Sequence, residues 1–282
     1  MSALIIDGKA VAREVREGVA RSVAELRRPP GLATVLVGED PASAIYVANK
    51  RKLCTAAGIR DLHRQVPADI AQGELEALVE ELNGDEDVDG ILVQLPLPDH
   101  LEARAVVDRI DPAKDVDGLT TFNAGLLAQG RQGLQPCTPA GVMLLLEQAG
   151  IDLAGKHAVV IGRSDLVGRP MAQLLTQANA TVTVCHSRTK DLVAETSRAD
   201  VLIAAAGVPR LIGADHVQPG ATVIDVGIHR TDTGMCGDVD FDEVREVAGA
   251  LTPVPGGVGP MTIALLLRNT VQAASRREEM SP

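Results

Sequence analysis

Aromatic residues are almost absent from this sequence: they make up 1% of its 282 residues, with no Trp and a single Tyr. The interior must therefore be filled by aliphatic side chains. Domains typically contain roughly 100 to 200 residues, so the length suits two α/β domains or one large one.

Long apolar runs and paired cysteines are missing as well. No stretch approaches the roughly 18 uninterrupted apolar residues of a membrane helix, and the N-terminal apolar run covers only residues 3–6. Neither a Cys-x-x-Cys pair nor a zinc-type Cys/His spacing occurs, so no disulfide framework or metal site is predicted. The cysteines are Cys54, Cys137, Cys185 and Cys236. We expect a soluble, unexported, cytoplasmic protein with reduced thiols.

Positive charge is in deficit, with a formal net charge of −11. A general nucleic-acid surface requires clustered Lys and Arg that displace phosphate counterions, so this class of function is disfavoured. An anionic ligand would need a local basic site.

Predicted strands and helices alternate in the first half of the chain. Apolar residues at three- and four-residue spacing predict an amphipathic helix over 11–26. Short apolar runs bounded by Gly or Pro predict strands over 32–37, 62–66 and 90–94, with helices over 74–82 and 102–110. This alternation favours parallel βαβ units.

The second half starts again after residues 130–139, which are rich in Gly, Gln and Pro and which we interpret as a link between domains. A helix over 140–148 precedes strands over 156–161, 181–184, 199–206 and 222–227. Residues 252–262 are too rich in Gly and Pro for a regular element, so they predict a shaped loop before a helix that begins at Ile263. Such a loop in a compact domain is suited to close approach to a ligand.

Tyr46 and Lys50 lie in the predicted helix that follows strand 32–37, one turn apart on the same face. A phenol and an amine that converge on one small molecule suit proton chemistry, because a desolvated lysine readily lowers its pKa. The alternative is that the pair serves only packing and solubility.

Two polar segments follow strand ends. Gln94 is the last residue of strand 90–94, and open parallel sheets bind ligands beyond the carboxyl ends of their strands. The alternative is that Gln94 is only a polar residue that terminates the strand. Residues 111–119 contain three Asp and a Gly, which allows a metal loop, a solvated loop, or a carboxylate that binds the N–H groups of a ligand. The segment lacks the ligand pattern of an EF-hand, so calcium is disfavoured.

Residues 162–170 form a Gly-punctuated turn between a strand and a helix, which is an anion-binding arrangement. Strand 181–184 ends near Ser187 and Arg188, where an NAD-preferring unit usually has an acidic residue. Hydroxyl and basic side chains there, with Arg163 nearby, favour the 2′-phosphate of NADP.

Five motifs occur together and in order. They are Tyr46-x-x-x-Lys50, Val93-Gln94-Leu95-Pro96-Leu97-Pro98, Lys114-Asp115-Val116-Asp117-Gly118, Gly162-Arg163-Ser164 with Val167-Gly168-Arg169-Pro170, and Pro253-Val254-Pro255-Gly256-Gly257-Val258-Gly259-Pro260-Met261-Thr262. In this combination the sequence resembles the bifunctional methylenetetrahydrofolate dehydrogenase/methenyltetrahydrofolate cyclohydrolase family. The resemblance extends over nearly the whole chain and is to the short bacterial type.

The resemblance implies an α/β fold of two α/β domains with a folate cleft between them. Residues 1–138 would be the catalytic, folate-binding domain and residues 139–261 a Rossmann-like NADP-binding domain. A C-terminal helix over about 262–282 would pack back on the first domain. Members generally form homodimers through the Rossmann domain.

The resemblance also assigns residues. In the catalytic set, Lys50 matches the catalytic lysine, Tyr46 the aromatic that stacks on folate, Gln94 the partner that tunes the lysine, and Asp117 the carboxylate that holds the pterin. The substrate-binding set adds Leu95, Gly259 and Pro260, the last two in the loop beside the folate. The cofactor-binding set is Gly162, Arg163, Ser164, Ser187, Arg188 and Ile228.

The implied function is oxidation of 5,10-methylenetetrahydrofolate with NADP⁺, followed by hydrolysis to 10-formyltetrahydrofolate, in one-carbon metabolism and purine biosynthesis. No metal, nucleic acid or membrane is implied. A short-chain dehydrogenase also uses Tyr-x-x-x-Lys, but its pair lies downstream of the nucleotide turn, whereas Tyr46 and Lys50 lie far upstream of Gly162. The remaining alternative is an NADP-sensing regulatory protein without turnover.

Overall fold

The computed structural model describes residues 3–232 and 234–280, without the side chains of residues 41–43. The chain folds into two compact units that interleave along the sequence. One unit joins the described residues up to Arg13 with Thr138–Thr262, and the other joins Glu14–Cys137 with the described residues from Ile263 onward.

The described residues form twelve strands and ten α-helices. The strands are β1 (Leu4–Ile5), β2 (Gly31–Val37), β3 (Arg60–Asp61), β4 (Arg64–Val66), β5 (Gly90–Val93), β6 (His157–Ile161), β7 (Thr181–Cys185), β8 (Val201–Ala204), β9 (Thr222–Asp225), β10 (His229–Thr231), β11 (Gly234–Cys236) and β12 (Ala250–Leu251). The helices are α1 (Gly8–Glu25), α2 (Pro41–Ala56), α3 (Gln72–Gly84), α4 (Ala103–Val107), α5 (Thr121–Ala128), α6 (Cys137–Gln148), α7 (Gly168–Gln177), α8 (Leu192–Thr196), α9 (Phe241–Arg245) and α10 (Val258–Met280).

The unit that contains residues 14–137 is built on a parallel sheet with β2 at its centre. β2 is buried along its whole length and pairs with β5 on one side and with β3 and β4 on the other. Helix α3 packs Leu75, Val79 and Leu82 against this sheet, one face of a helix at intervals of about one turn. Burial of each such side chain contributes roughly 1.5–3 kcal/mol, so an aliphatic core suffices without Trp.

The predicted strand over 62–66 is wrong in its limits, because pairing with β2 occurs in two pieces. Asp61 pairs with Leu32 and Arg64 with Val35, while the two residues between them interrupt the assigned strand. Most of this edge is only half buried, and polar edge residues hold a ladder less firmly than a buried central strand does.

The second unit contains a six-stranded parallel sheet of order β1-β12-β9-β8-β6-β7. Its centre is formed by β6, β8 and β9, whose residues are almost all buried. The antiparallel hairpin of β10 and β11 follows β9 and was not predicted. The α/β class and the parallel pairing of the main strands are confirmed.

Helices α6, α7 and α10 begin earlier than predicted, because their first turns contain Gly or Pro. α6 includes Pro139, α7 begins at Gly168, and α10 begins at Val258, so the segments 137–139 and 258–262 are helical and not linker or loop. The first N–H groups of a helix have no partner within it, so Pro is tolerated at this end. The Gly and Pro pattern that ends helices elsewhere therefore misplaces these starts.

Candidate active site

Lys50 lies on the buried face of α2. Val47 and Cys54, one turn before and after it, are 2% and 1% exposed, and Lys50 itself is 5% exposed. Helix α2 ends at Ala56, and two residues later Gly58 has a φ of +81°, which favours glycine. The N–H of Ile59 donates to the carbonyl of Cys54. The helical repeat thus places an amine where an apolar side chain would be expected.

Gln94 and Tyr46 contact the Lys50 amine. Lys50 Nζ donates to Gln94 Oε1 at 3.0 Å and lies 4.4 Å from the centre of the Tyr46 ring. Gln94 follows β5, and its Nε2 donates to the carbonyl of Leu95 at 2.6 Å. This second bond orients the amide so that its oxygen faces the lysine. The structure therefore brings Tyr46, Lys50, Gln94 and Leu95 together.

Asp115 binds the N–H groups of its own chain. Its carboxylate is fully buried and accepts from the backbone N–H of Leu119 and Thr120 at 3.1 and 2.9 Å, and from Asn123 Nδ2 at 2.8 Å. Within the described ranges, no three His, Cys, Asp or Glu side chains come together in a way that could hold a metal ion. Asp115 thus shapes the loop that carries Asp117.

Asp117 and Lys50 each shift the pKa of the other in the direction opposite to the effect of burial. Burial lowers the pKa of Lys50, while the charges of Asp117 and Cys137 raise it in part. Burial raises the pKa of Asp117, while Lys50 lowers it. Since burial is the largest cause for both groups, each is drawn toward its neutral form. This brings the neutral amine closer to physiological pH than in an exposed lysine.

Cys137 and Asn269 support Asp117 and were missed as contributors. The Cys137 thiol lies 3.3 Å from the carbonyl of Val116 and forms a side-chain hydrogen bond with Asp117, and burial raises its pKa well above the ordinary value. The buried Asn269 Nδ2 donates to the carbonyls of Val116 and Gln135, both at 2.9 Å. These contacts join residues far apart in the chain, so no local pattern could reveal them.

In the other unit, two glycines shape the turn after β6. Gly162 has a φ of +122°, and a Cβ on it would lie 2.1 Å from the carbonyl oxygen of Ala205. A Cβ on Gly168 would lie 2.2 Å from the carbonyl oxygen of Gly162. Side chains are excluded at both positions, so α7 begins directly against the turn.

The polar side chains predicted for the cofactor lie at adjacent strand ends. Ile161 at the end of β6 pairs with Cys185 at the end of β7, so Arg163 and Ser164 follow one strand while Ser187 and Arg188 follow its neighbour. All four of these side chains are exposed. Ser164 Oγ accepts from the N–H groups of Val167 and Gly168 at 3.2 and 3.5 Å, which leaves its own O–H group to donate to a ligand.

These residues fit NADP. The turn leads into the N-terminus of α7, where backbone N–H groups suit a phosphate, and exposed guanidinium and hydroxyl groups suit a 2′-phosphate. Residues 186–190 contain no acidic side chain that would bind a free 2′-hydroxyl.

Ile228 follows β9 and is 54% exposed, so it offers an apolar surface at the same edge of the sheet. Gly259 lies beside it, since a Cβ on Gly259 would be 3.3 Å from Ile228 Cδ1. Gly259 and Pro260 belong to the first turn of α10, and their predicted position in a loop is wrong.

The fold and these two groups of residues define an α/β protein with a dinucleotide-type parallel sheet and a buried lysine whose pKa is lowered by burial. None of the described helices is both long and apolar enough to span a membrane.

Family models match most of the chain. The model of the tetrahydrofolate dehydrogenase/cyclohydrolase catalytic domain matches residues 6–117, and that of the NAD(P)-binding domain of the same enzymes matches residues 136–278. The chain belongs to the tetrahydrofolate dehydrogenase/cyclohydrolase family.

Relatives and solved structures agree with this assignment. The bifunctional protein FolD 2 of Frankia alni is 62% identical over 284 residues, which cover 99% of each chain. The structure of the bifunctional enzyme FolD from Campylobacter jejuni is 48% identical, with a TM-score of 0.96 over 98% of this chain and 100% of that one. FolD from Trypanosoma brucei, solved with NADP cofactor and inhibitor, is 40% identical with a TM-score of 0.94 and covers 100% of both chains.

Proposed function

We propose that this protein oxidises 5,10-methylenetetrahydrofolate to 5,10-methenyltetrahydrofolate with NADP⁺ and hydrolyses the product to 10-formyltetrahydrofolate. It is thus an oxidoreductase and a hydrolase of one-carbon metabolism. Family membership and the bifunctional relatives support both activities. They give no support to an NADP sensor without turnover.

The observation that carries the proposal is the buried Lys50 amine. It donates a hydrogen bond to Gln94, and the charge of Asp117 raises the pKa that burial lowers. Burial lowers the pKa of Lys50, which favours its neutral form as a proton acceptor. A neutral amine keeps an N–H for the bond to Gln94 and a lone pair for a proton. Full burial of an unreactive lysine would be costly, so a chemical role accounts for its position.

Lys50 carries the protons of the hydrolytic step. It accepts one proton as water forms a C–O bond to the methenyl carbon, and it returns a proton to N5 as the C–N5 bond breaks. The remaining hydroxyl proton leaves to solvent, so one proton is released for each 10-formyltetrahydrofolate. In the alternative, an ammonium at Lys50 first protonates the leaving nitrogen, which requires the charged form that burial disfavours.

Substrate binding involves Tyr46, whose ring offers a flat face for folate, and Asp117, which accepts N–H groups of the pterin. Leu95, Gly259 and Pro260 complete the substrate-binding set. Bound NADP⁺ supplies the hydride acceptor. Gly162 and Ser164 hold its phosphates through close backbone approach and a hydroxyl, Arg163, Ser187 and Arg188 bind the 2′-phosphate, and Ile228 contacts an apolar face of the cofactor.

Replacement of Lys50 by Met tests the assignment. Acid–base groups contribute roughly 10²–10⁴-fold, so we expect methenyl hydrolysis to fall by this factor in Lys50→Met. Lys52→Met is the matched control, because Lys52 is exposed on the same helix. Full cyclohydrolase activity in Lys50→Met would contradict the proposal.

The proposal includes a cytoplasmic homodimer that associates through the nucleotide-binding domain and supplies purine biosynthesis. It places the catalytic domain at 1–138, the NADP-binding domain at 139–261 and the returning helix at about 262–282, of which residues 1–2, 233 and 281–282 lie outside the described part. The described residues up to Arg13 nevertheless group with Thr138–Thr262. The two family models, which match residues 6–117 and 136–278, support the division into two domains. Sedimentation equilibrium distinguishes a dimer from a monomer directly.

A further inference from the structure

Two buried carboxylates lie behind the nucleotide-binding edge of the sheet. Asp225 ends β9 and is 3% exposed, while Asp238 follows β11 and is 0% exposed. Neither side chain belongs to the residues proposed to touch the cofactor. Each accepts three N–H hydrogen bonds, which is an unusual concentration of donors on two adjacent buried acids.

Asp238 binds the turn after β8. Its Oδ2 accepts from the backbone N–H groups of Ala206 and Gly207 at 2.6 and 2.9 Å. The preceding residue, Ala205, carries the carbonyl oxygen that closes the space beside Gly162. Asp238 therefore holds the backbone against which the phosphate turn is packed.

The same two carboxylates flank Ile228. Asp225 Oδ1 accepts from the N–H of Gly227 at 2.9 Å, and Asp238 Oδ1 accepts from His229 Nε2 at 2.7 Å. Both neighbours of Ile228 are thus fixed while Ile228 itself remains exposed. The contacts of the two carboxylates thus set the backbone position from which Ile228 projects.

The two acids also lock each other. Asp225 accepts from the N–H of Asp238 at 2.9 Å through Oδ1 and from that of Val239 at 3.0 Å through Oδ2. A Cβ on Gly237 would lie 1.8 Å from Asp225 Oδ2, and a Cβ on Gly227 would lie 2.3 Å from Asp238 Oδ1. The carboxylates thus occupy the space that a side chain at Gly227 or Gly237 would need.

This arrangement has a cost, because burial raises the pKa of Asp225 to about 6. Buried charged groups often contribute no more stability than apolar residues of similar volume. Directional bonds to six N–H groups nevertheless fix backbone geometry, which apolar packing does not do.

We propose that Asp225 and Asp238 are positioning residues of the NADP site, which hold the turn at 205–207 and the residues around Ile228 in the geometry that receives the cofactor. The inference rests on the proposed function, since it assumes that NADP binds at this edge. Neither residue contacts the reacting atoms.

Asp238→Asn tests the inference, because it keeps the shape but replaces one acceptor oxygen by an N–H₂ group that faces donors. Hydrogen bonds to charged groups contribute more free energy than bonds between neutral groups. We therefore expect KM and Kd for NADP⁺ to rise roughly 10–100-fold. The kcat at saturating NADP⁺ should change less than about threefold, because the groups that handle protons are untouched. Asp240→Asn is the matched control, since Asp240 caps α9 and Asn caps helices equally well.

Methenyl hydrolysis, which needs no NADP⁺, is measured on the same preparations. An NADP⁺-specific loss with hydrolysis retained supports the positioning role. A parallel loss of both activities, or unchanged NADP⁺ affinity in Asp238→Asn, overturns it. Absence of NADP⁺ binding by the unaltered protein would instead refute the proposed function.

If Asp238→Asn does not fold, His229→Ala carries the test. It removes only the bond to Asp238 Oδ1 from a side chain that is 19% exposed. We expect an increase of roughly threefold to tenfold in KM for NADP⁺, as for loss of one hydrogen bond. An unchanged KM would overturn the inference.

Discussion

The Lys50 site and the turn at Gly162 differ in how far their polar side chains are exposed to solvent. Lys50 is 5% exposed and its amine is desolvated near Asp117, whereas Arg163, Ser164, Ser187 and Arg188 are all exposed. Proton transfer requires an amine whose pKa is moved by burial. Phosphate binding requires charge and free N–H or O–H groups that a ligand can reach.

The difference lies in what each site demands of the chain. Around Lys50, side chains from α2, β5 and the loop before α5 must converge, so the site depends on tertiary packing. Around Gly162, the absence of side chains matters most, because the carbonyl of Ala205 occupies the space of a Cβ. One site is sensitive to changes of charge, and the other to any side chain at all.

The largest expected effect concerns Asp225. This residue is an exception to the contrast, because it is a buried acid in the nucleotide-binding unit. Burial raises its pKa from 3.8 to about 6. The folded state thus binds this proton more tightly than the unfolded state, so the contribution of Asp225 to the free energy of unfolding is greatest below about pH 4. It falls by about 3 kcal/mol as the pH rises through 6.

Urea unfolding of the unaltered protein and Asp225→Asn between about pH 4 and pH 8 measures this contribution. Because Asn does not titrate, the difference between the two proteins isolates the group from other acids. Parallel pH profiles for the two proteins would show that Asp225 keeps an ordinary pKa when folded.

Asp117→Asn tests how far the pKa of the buried Lys50 depends on a neighbouring charge. Loss of the carboxylate removes the charge that opposes the desolvation of Lys50, so the pKa of Lys50 should fall further and the rise of cyclohydrolase activity should move to lower pH. Loss of a charged acceptor for pterin N–H groups should also raise KM for the folate by roughly 10–100-fold.

The pH dependence of kcat for methenyl hydrolysis provides the readout. Asp99→Asn, at an exposed position after the strand end, serves as the control. A profile that moves to higher pH in Asp117→Asn would mean that Asp117 does not hold the proton on Lys50.

The smallest effect is expected at Arg188. Exposed ion pairs are worth roughly 0.2–1 kcal/mol, so Arg188→Gln should raise KM for NADP⁺ by up to about fivefold and leave KM for NAD⁺ unchanged. Lys190→Gln, also exposed, is the control. Equal changes in KM for NADP⁺ and NAD⁺ in Arg188→Gln would show that Arg188 does not bind the 2′-phosphate.

Salt provides an independent readout of the same contrast. Screening shortens from about 8 Å at 0.15 M to about 3 Å at 1 M, which should weaken NADP⁺ binding at exposed cations. The kcat for methenyl hydrolysis should respond little, because the Lys50 amine is buried. Equal salt dependence of both quantities would erase the distinction between the two sites.

The main strands and the motif residues were predictable because their signals are local. The i and i+4 spacing of Tyr46 and Lys50, the polar end of β5 at Gln94, and the glycine turn at Gly162 each lie within one short stretch. Parallel pairing then follows from the alternation of helices and strands. This local information located the main strands and one face of the lysine site.

Contacts between distant segments were not predictable from one sequence. Cys137 and Asn269 meet at the Val116 carbonyl, and Asp238 reaches the turn at Ala206, without any periodicity that relates them. β1 and β12 are only two residues each and take their strand form from their neighbours in the sheet. Helix starts failed for a different reason, since Pro in a first turn looks the same as Pro in a loop.

Tyr46 is the single tyrosine of a chain without tryptophan, and its ring lies beneath the Lys50 amine. Its emission is therefore the only tyrosine signal of the native protein, free of an indole background. Light absorbed at this ring reports on its surroundings, which include the Lys50 amine. The scarcity of aromatic residues gives the protein a native optical probe, with no label needed, at the residue pair where we place the chemistry.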